Sequence, residues 1–296
     1  MPEEAPLPPV VGFVGLGRMG DPMARHVAAG GVVVRGFDTA PAAVQGLAGV
    51  VTSVGSAAAA AEDVPVVILM LPDSDAVESV VDDGLLDALE PGSVLVDMSS
   101  SEPLRTRELA ERIEGVGAEL VDAPVSGGIR GAEAATLAIM VGAEHDTARR
   151  LEPLLALMGR PRHVGGTGAG HALKALNNLM SASNLLAASE ALLAGQRFGL
   201  DPAVMLEVVN GSSGRSNGTE TKWPDHVLPG TFASGFTAGL MAKDVRIALG
   251  LVEATGIRGG VAAEVVERWV AAVDLLGPAA DHTEIVRYLQ QTSGGD

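Results

Sequence analysis

The stretch that most constrains this chain lies near its start. An apolar run, VVGFV at Val10–Val14, passes at once into GLGRMG, which sets Gly15, Gly17 and Gly20 in a G-x-G-x-x-G spacing ahead of an Ala-, Met- and His-containing segment that ends at Ala29-Gly30-Gly31. A strand can turn straight into a helix only through a tight loop. Here Gly15 permits the turn, Gly17 lets the backbone approach a pyrophosphate, and Gly20 lets the helix pack on the strand. Phosphates then lie against the unpaired N–H groups and positive dipole end of that helix. A second apolar run opens at Val32-Val33-Val34 and closes at Asp38. An acid there bonds the ribose hydroxyls of NAD and repels a 2′-phosphate, and Thr39, not an arginine, follows it. Asp38 equally reads as a cap for a helix starting near Pro41, and the two roles are compatible.

The alternation continues. Residues 64–70 are almost unbroken in apolar character, as a buried parallel strand requires, and they close in Leu71-Pro72. A helix is expected over 75–89, a strand over 94–98 closing in Ser99-Ser100-Ser101, a helix over 102–114 and a strand over Glu119–Asp122. Strand and helix periods alternating this way imply a doubly wound parallel sheet, whose ligands bind beyond the carboxyl ends of the strands. Gly15, Asp38, Leu71-Pro72 and Ser99-Ser100 all fall at such ends. Ser126-Gly127-Gly128 also follow a strand end. They supply a hydroxyl and successive bare amides, either a receptor for a carboxylate or an ordinary glycine-rich turn. A helix over 146–158 and a short strand at 163–164 complete this half. Beyond Gly170 the chain reads as helical, over 171–198, Pro202–Asn210, 240–255, 261–275 and 283–291. A polar loop holds Ser212-Ser213-Gly214-Arg215, where Arg215 pairs with a substrate acid or faces solvent. The fold expected is an α/β Rossmann-type doubly wound parallel sheet followed by an all-α C-terminal domain. The division expected is a dinucleotide-binding domain over 1–166 and an all-helical substrate and oligomerisation domain over 167–296, joined by a long helix carrying Lys174.

That helix opens as GAGHALKALNNLM over 168–180. Lysine occurs only at 174, 222 and 243 among 20 basic residues, so arginine does the routine work of surface charge. Lysine can lose its proton near neutral pH and arginine cannot. No Asp or Glu occurs from 153 to 189, in a chain with 37 acids. At about 100° per residue, His171, Asn177, Asn178 and Ser181 share the face of Lys174, while Ala172, Leu173, Leu176, Leu179 and Met180 lie opposite. The pattern fits the solvated face of an ordinary amphipathic helix or a lysine placed to move a proton.

Bulk properties narrow the function. A chain of 296 residues, 47% hydrophobic, can bury a full core in two domains. It has no cysteine, which excludes disulfides, thiolate metal sites and a cysteine nucleophile, and no metal is expected. The first nine residues, acidic and proline-rich, read as a frayed tail and not a targeting peptide, and 294–296 as a loose end. The longest apolar stretch, 64–71, is far below the ~20 residues of a membrane span. A net charge of −17 opposes nucleic-acid binding. The expected setting is the cytoplasm, with a small hydroxy acid or semialdehyde as partner, no nucleic acid and no membrane.

In their order, these motifs resemble the β-hydroxyacid dehydrogenase family over essentially the whole chain, most closely its 3-hydroxyisobutyrate branch. The resemblance rests on GFVGLGRMGDPMA (12–24), MLPDS (70–74), VDMSS (96–100), DAPVSGG (122–128), GAGHALKALNN (168–178), SSGR (212–215) and the GF and LMAKD segments (235–244). It implies that NAD lies across Gly15, Leu16, Gly17, Arg18, Met19, Gly20, Asp38, Leu71, Pro72 and Ser100, with Lys243 reaching the cofactor from the second domain. It implies that Ser126, Gly127 and Gly128 hold the substrate carboxylate, that Lys174 exchanges the proton, and that Asn178 orients the substrate or the lysine. A homodimer or homotetramer is also implied. An alcohol β to a carboxylate would lose hydride to the nicotinamide while neutral Lys174 accepts the hydroxyl proton, with Arg160, Arg162 or Lys243 as candidate cations to lower its pKa. Tartronate semialdehyde, succinic semialdehyde or a sulfonated analogue are alternatives to 3-hydroxyisobutyrate. The alternative of a different class is a non-catalytic, dinucleotide-bound interaction protein, which the retention of Lys174 and Lys243 in an arginine-dominated chain opposes. Ala135 departs from a common family glycine and Ser100 from a common threonine. Asn177 stands where related 6-phosphogluconate decarboxylating enzymes carry His, and related imine reductases lack the lysine.

Overall fold

A computed structural model describes residues 5–293. Of the tail expected over 1–9, residues 1–4 lie outside the described residues, as does the loose end expected at 294–296, while the Pro9 carbonyl already accepts the Val33 N–H at 3.1 Å. The chain forms two compact units, one running to Lys174 and the other beginning at Ala175.

In the first unit, β1 (Val10–Val14) leads through the glycine loop to α1 (Gly20–Ala29). Then come β2 (Val33–Phe37), α2 (Pro41–Gln45), β3 (Thr52–Ser53), α3 (Ala57–Ala61) and β4 (Val66–Leu69). The helix expected over 75–89 is broken. α4 (Ser74–Val80), capped by the Asp73 carboxylate at Ala76 N–H, runs into a π-helical turn over Val81–Leu85, and α5 (Leu86–Ala88) resumes after it. The cause is Gly84 at φ 90°, a conformation open to glycine and disfavoured for side-chain-bearing residues. β5 (Val94–Asp97), α6 (Pro103–Glu114) and β6 (Glu119–Asp122) follow. The strands pair in parallel in the order β3-β2-β1-β4-β5-β6, so the winding reverses between β1 and β4, where ligands of such sheets bind.

The segment 123–142 holds more structure than its glycines suggest: β7 (Val125–Ser126), α7 (Gly128–Glu133) and β8 (Leu137–Gly142). The antiparallel partners Asp122↔Gly142, Val125↔Ile139 and Ser126↔Ala138 keep one register. β6 and β7 are therefore two stretches of one line of pairing along β8, interrupted at Ala123-Pro124. Between α7 and β8, Ala135 sits at φ 52°, which explains the family's glycine there; alanine in that region costs on the order of 1 kcal/mol. α8 (His145–Ala156) leads to β9 (Gly159–Gly165), a full edge strand parallel to β8 where only two residues were expected. Both faces of the sheet are buried, as its apolar strands demand. Val11, Phe13, Ile68 and Val96 pack with α1 and α8, while Val67, Leu69, Leu95 and Leu120 pack with α3, α4 and α6.

α9 (Ala169–Phe198), 30 residues long, begins in the first unit and continues as the first helix of the second. α10 (Pro202–Asn210) follows. The loop beyond it contains an unexpected π-helical segment, Gly218–Val227, which buries Trp223 with its indole N–H donated to Ser189 Oγ at 3.1 Å. α11 (Ala238–Ala254), capped by Thr237, α12 (Gly260–Leu276), a 3₁₀ turn at His282–Glu284 with an Asp281 capping box, and α13 (Ile285–Thr292) complete a helical core around Leu185, Leu192, Trp223, Met241 and Trp269.

Candidate active site

The three loop glycines serve different masters. A Cβ on Gly15, which stands at φ 93°, would strike the Met70 carbonyl, and one on Gly20 would strike the Gly15 carbonyl. Both are demanded by the protein's own packing. A Cβ on Gly17 would meet nothing within 4 Å. The space it would fill is a cradle at the N-terminus of α1, and the residues fit a dinucleotide pyrophosphate. Beside it, a groove of ≈ 760 Å³ is lined by Leu16, Gly17 and Arg18 and, from α7, by Ile129 and Glu133. Met19 is half-buried at the head of α1.

Asp38 ties the second strand to this loop. Its Oδ2 accepts the Leu16 N–H and its Oδ1 the Ala40 N–H, each at 2.7 Å. The expected cap on α2 is not formed: Ala40 holds that place without a side-chain bond, and Asp38 makes a local turn instead. Each carboxylate oxygen keeps acceptor capacity for a ribose diol. At the next strand end, Leu71 donates its N–H to Ser99 Oγ at 2.9 Å. Asp97 organises that loop by accepting the Ser99 N–H at 2.9 Å and the Ser101 hydroxyl at 2.7 Å. Ser100 lies half-buried between these two serines, and Pro72 is exposed after Leu71.

Ser126 ends β7 half-buried, and the exposed Gly127 and Gly128 follow at φ 134° and 60°, a path that requires glycine twice.

The polar face of α9 points inward. His171 and Asn178 are 1% and 7% exposed, whereas Leu173 and Met180 opposite are 39% and 57% exposed. Lys174 is half-buried, so the reading of an ordinary solvated face is overturned. The acid-free sequence around Lys174 hides acids that arrive from the sheet. Asp122 accepts the Gly168 N–H at 2.6 Å and the His171 N–H at 2.7 Å. Thr106 donates its hydroxyl to the Glu102 carbonyl, so His171 Nδ1, 2.8 Å away, is the donor to Thr106 Oγ1. His171 Nε2, buried without a hydrogen-bond partner, lies 3.7 Å from Asp97 Oδ2. Burial pushes the Asp122 carboxyl above the usual carboxylate range, against the opposing pull of His171 and of the two backbone N–H groups.

Within the second unit, Asn178 Nδ2 donates to Asp244 Oδ2 at 2.5 Å, and its Oδ1 accepts from Asn177 Nδ2 at 3.2 Å, which fixes the orientation of its amide. Lys243 Nζ is 3.5 Å from Asp244 Oδ1. Arg215 faces solvent beside Glu220 at 3.7 Å, and Arg160 and Arg162 are exposed on the edge strand β9. Sequence reasoning missed Asp97, Asp122 and Asp244 as organisers. A signal existed for two of them: Leu-Val-Asp ends both β5 and β6, and the copies pair residue for residue. Among the described residues no cluster of His, Asp or Glu could hold a metal ion, and no helix is long and apolar enough to cross a membrane.

Comparison with known proteins agrees with this geometry. Residues 10–168 match the family model described as the NAD binding domain of 6-phosphogluconate dehydrogenase, and residues 168–289 match NAD-binding of NADP-dependent 3-hydroxyisobutyrate dehydrogenase. The chain is 42% identical over 248 residues to 2-(hydroxymethyl)glutarate dehydrogenase of Eubacterium barkeri, covering 81% of each. It is 37% identical over 289 residues to the probable 3-hydroxyisobutyrate dehydrogenase of Mycobacterium tuberculosis, covering 93% of this chain and 94% of the relative. The Mycobacterium tuberculosis 3-hydroxyisobutyrate dehydrogenase solved with L-serine superposes with a TM-score of 0.91 at 34% identity, covering 96% of this chain and 100% of that one. With both halves matched in order and the glycine cradle, the Ser126 turn and the inward-facing Lys174 helix in place, the chain belongs to the β-hydroxyacid dehydrogenase family.

Proposed function

We propose that this protein is an NAD-dependent dehydrogenase of small 2-substituted 3-hydroxypropanoates. The observation that carries the reading is the inversion of α9, which turns His171 and Asn178 inward and leaves Leu173 and Met180 outside. Burying polar groups is costly unless partners are supplied, and here Thr106, Asp122 and Asp244 supply them, so the polar face beside Lys174 is built and not left to solvent. 3-Hydroxyisobutyrate, 2-(hydroxymethyl)glutarate and L-serine, named with the relatives, share a primary alcohol on the carbon next to the one bearing the carboxylate. That shared fragment is the proposed recognition unit.

NAD, when bound, supplies the hydride acceptor. Gly15, Leu16, Gly17, Arg18, Met19 and Gly20 would hold its pyrophosphate, Asp38 its adenosine ribose, and Leu71, Pro72, Ser100 and Lys243 the remainder. The Ser126 hydroxyl and the Gly127 and Gly128 amides bind the substrate carboxylate. Lys174 Nζ takes the hydroxyl proton as the C–H hydride leaves, and returns it in the reverse direction. Asn178, its amide fixed by Asn177 and Asp244, orients the alcohol. The proposed compartment is the cytoplasm, to be checked by cell fractionation.

A panel of 2-substituted 3-hydroxypropanoates with NAD, read by NADH absorbance, tests the class. Turnover of the matching alcohols that lack the carboxylate, at equal kcat/KM, would rule it out. Lys174→Arg keeps the charge but holds its proton at working pH, so kcat should fall by roughly 10²-fold or more and the alkaline rise of the oxidation rate should vanish. A kcat within about tenfold of the parent, with the pH profile kept, would make Lys174 an electrostatic anchor.

A further inference from the structure

We propose that Asp122 is a positioning residue, which sets where Lys174 stands relative to the carboxylate-binding turn. The proposal rests on Lys174 as the proton carrier and adds what aims it. Asp122 ends β6, and the same line of pairing along β8 runs on to Ser126. Its carboxylate accepts the Gly168 and His171 N–H groups, which belong to the otherwise unsatisfied first turn of α9. α9 has no acid in its own first turn, so the negative charge favoured by its positive end comes from the strand. One carboxylate therefore joins the line of pairing that leads to Ser126 to the helix that carries Lys174.

The packing around Asp122 shows that the approach is built in. A Cβ on Gly142 would strike the Asp122 carboxylate, and one on Gly170 would strike the Met140 carbonyl and come within 2.9 Å of Asp122 Oδ2. Neither glycine has a left-handed φ, so the close contact demands them and the backbone conformation does not. His171 supplies the second constraint. Its Nδ1 is 3.9 Å from Asp122 Oδ2 and its Nε2 3.7 Å from Asp97 Oδ2, on a neighbouring strand. The ring sits over two acids that are register partners, which fixes the rotation of α9 about its axis as Asp122 fixes its end. Lys174 follows His171 by three residues on the same face. A displacement of about 1 Å at a reacting group costs up to roughly 10²-fold in rate, so the anchor acts on catalysis without touching the substrate.

Asp122→Asn in the full chain tests this. Asparagine replaces one acceptor oxygen with an N–H₂ group that faces a backbone N–H, so one of the two anchors is lost. The expected result has three parts. kcat falls by at least about tenfold with NADH affinity within about twofold of the parent. The midpoint of the alkaline limb of the pH–rate profile moves. Amide exchange speeds up in 168–174 and not in the central strands. A kcat and pH profile within about twofold of the parent overturns the proposal, as does a parallel loss of kcat and NADH affinity, which marks general damage. His171→Gln leaves the carboxylate in place and removes the ring. It should show the same pattern more weakly, and it decides the matter by the same criteria if Asp122→Asn does not fold. Lys174→Met separates the two readings: a parental kcat there removes Lys174 as proton carrier, whereas a large loss beside a parent-like Asp122→Asn removes only the positioning role.

Discussion

His282 gives the second unit a pH-dependent stability that can be worked out in advance. Its Nδ1 lies 3.1 Å from the Phe236 carbonyl and 2.9 Å from Ser234 Oγ. Ser234 has one hydroxyl hydrogen, placed for the Asp281 carboxylate at 2.9 Å, so Nδ1–H is the donor to both oxygens. Burial first, and then the positive charge of Lys222, push the imidazole down from 6.5 to about 4; His226 pushes the same way, while the Phe236 carbonyl and Asp281 pull back. The folded ring is thus neutral through a window in which the unfolded chain binds a proton. Stability from this group is present above pH 6.5 and is lost as pH falls toward 4, by roughly 2 kcal/mol at pH 5 and roughly 3 kcal/mol at pH 4. Asp281 does not confuse the window. Its burial raises its carboxyl, but hydrogen bonds from Thr283 and Ser234 outweigh that and hold it below the usual value, so its own loss begins only below about 3.8. The assay is urea unfolding followed by tryptophan emission, because both tryptophans, Trp223 and Trp269, lie in this unit. His282→Asn keeps a donor near Nδ1 and removes the titration. It should lose about 1–3 kcal/mol at every pH from the void it leaves, but its drop between pH 7.5 and pH 5 should be smaller than the parent's by about 2 kcal/mol. Equal drops in parent and variant would refute the reasoning.

NADH should bind at least about tenfold more tightly than NADPH in fluorescence titration, a difference of roughly 1.4 kcal/mol, and Asp38→Ser should erase it; equal affinities in the parent would end the NAD assignment. Along α9 and α10 and between them, Leu173, Met180, Phe198, Leu200, Val204 and Val208 are exposed, and large apolar side chains of this kind are what a subunit interface covers. Light scattering at micromolar concentration should accordingly give a dimer or tetramer, and a particle of 30.0 kDa would show that these side chains cover nothing.

Most of the parallel strands could be read because each is an apolar run closed by a glycine, a proline or a polar residue, and the glycine loop because its spacing answers a steric need; β3, two exposed residues, carries no such run. β8 was hidden because LAIMVG follows a glycine-rich turn and is half-buried on alternate residues only at its start. The break at Asp83-Gly84 was hidden because one glycine within a helical pattern does not announce its φ. In the site, hydrophobic periodicity defined the two faces of α9 but not which of them points inward, and that depends on partners distant in sequence. Asp97 and Asp122 looked like ordinary polar strand terminators. Their role appears only when β5 and β6 are laid side by side and Leu-Val-Asp meets Leu-Val-Asp.

That pairing bears on how the chain is made. Asp122 is synthesised 46 residues ahead of the Gly168 N–H and 49 ahead of the His171 N–H that it requires. A nascent chain leaving the ribosome therefore has its parallel strands complete while the Asp122 carboxylate at their ends still needs water, since burying it unpartnered is costly. The last strand ends at Gly165, but the sheet can shut its polar edge only when the first turn of α9 emerges. Emergence of residue 171 from the ribosome, and not completion of the strands, marks the moment at which the first unit can close.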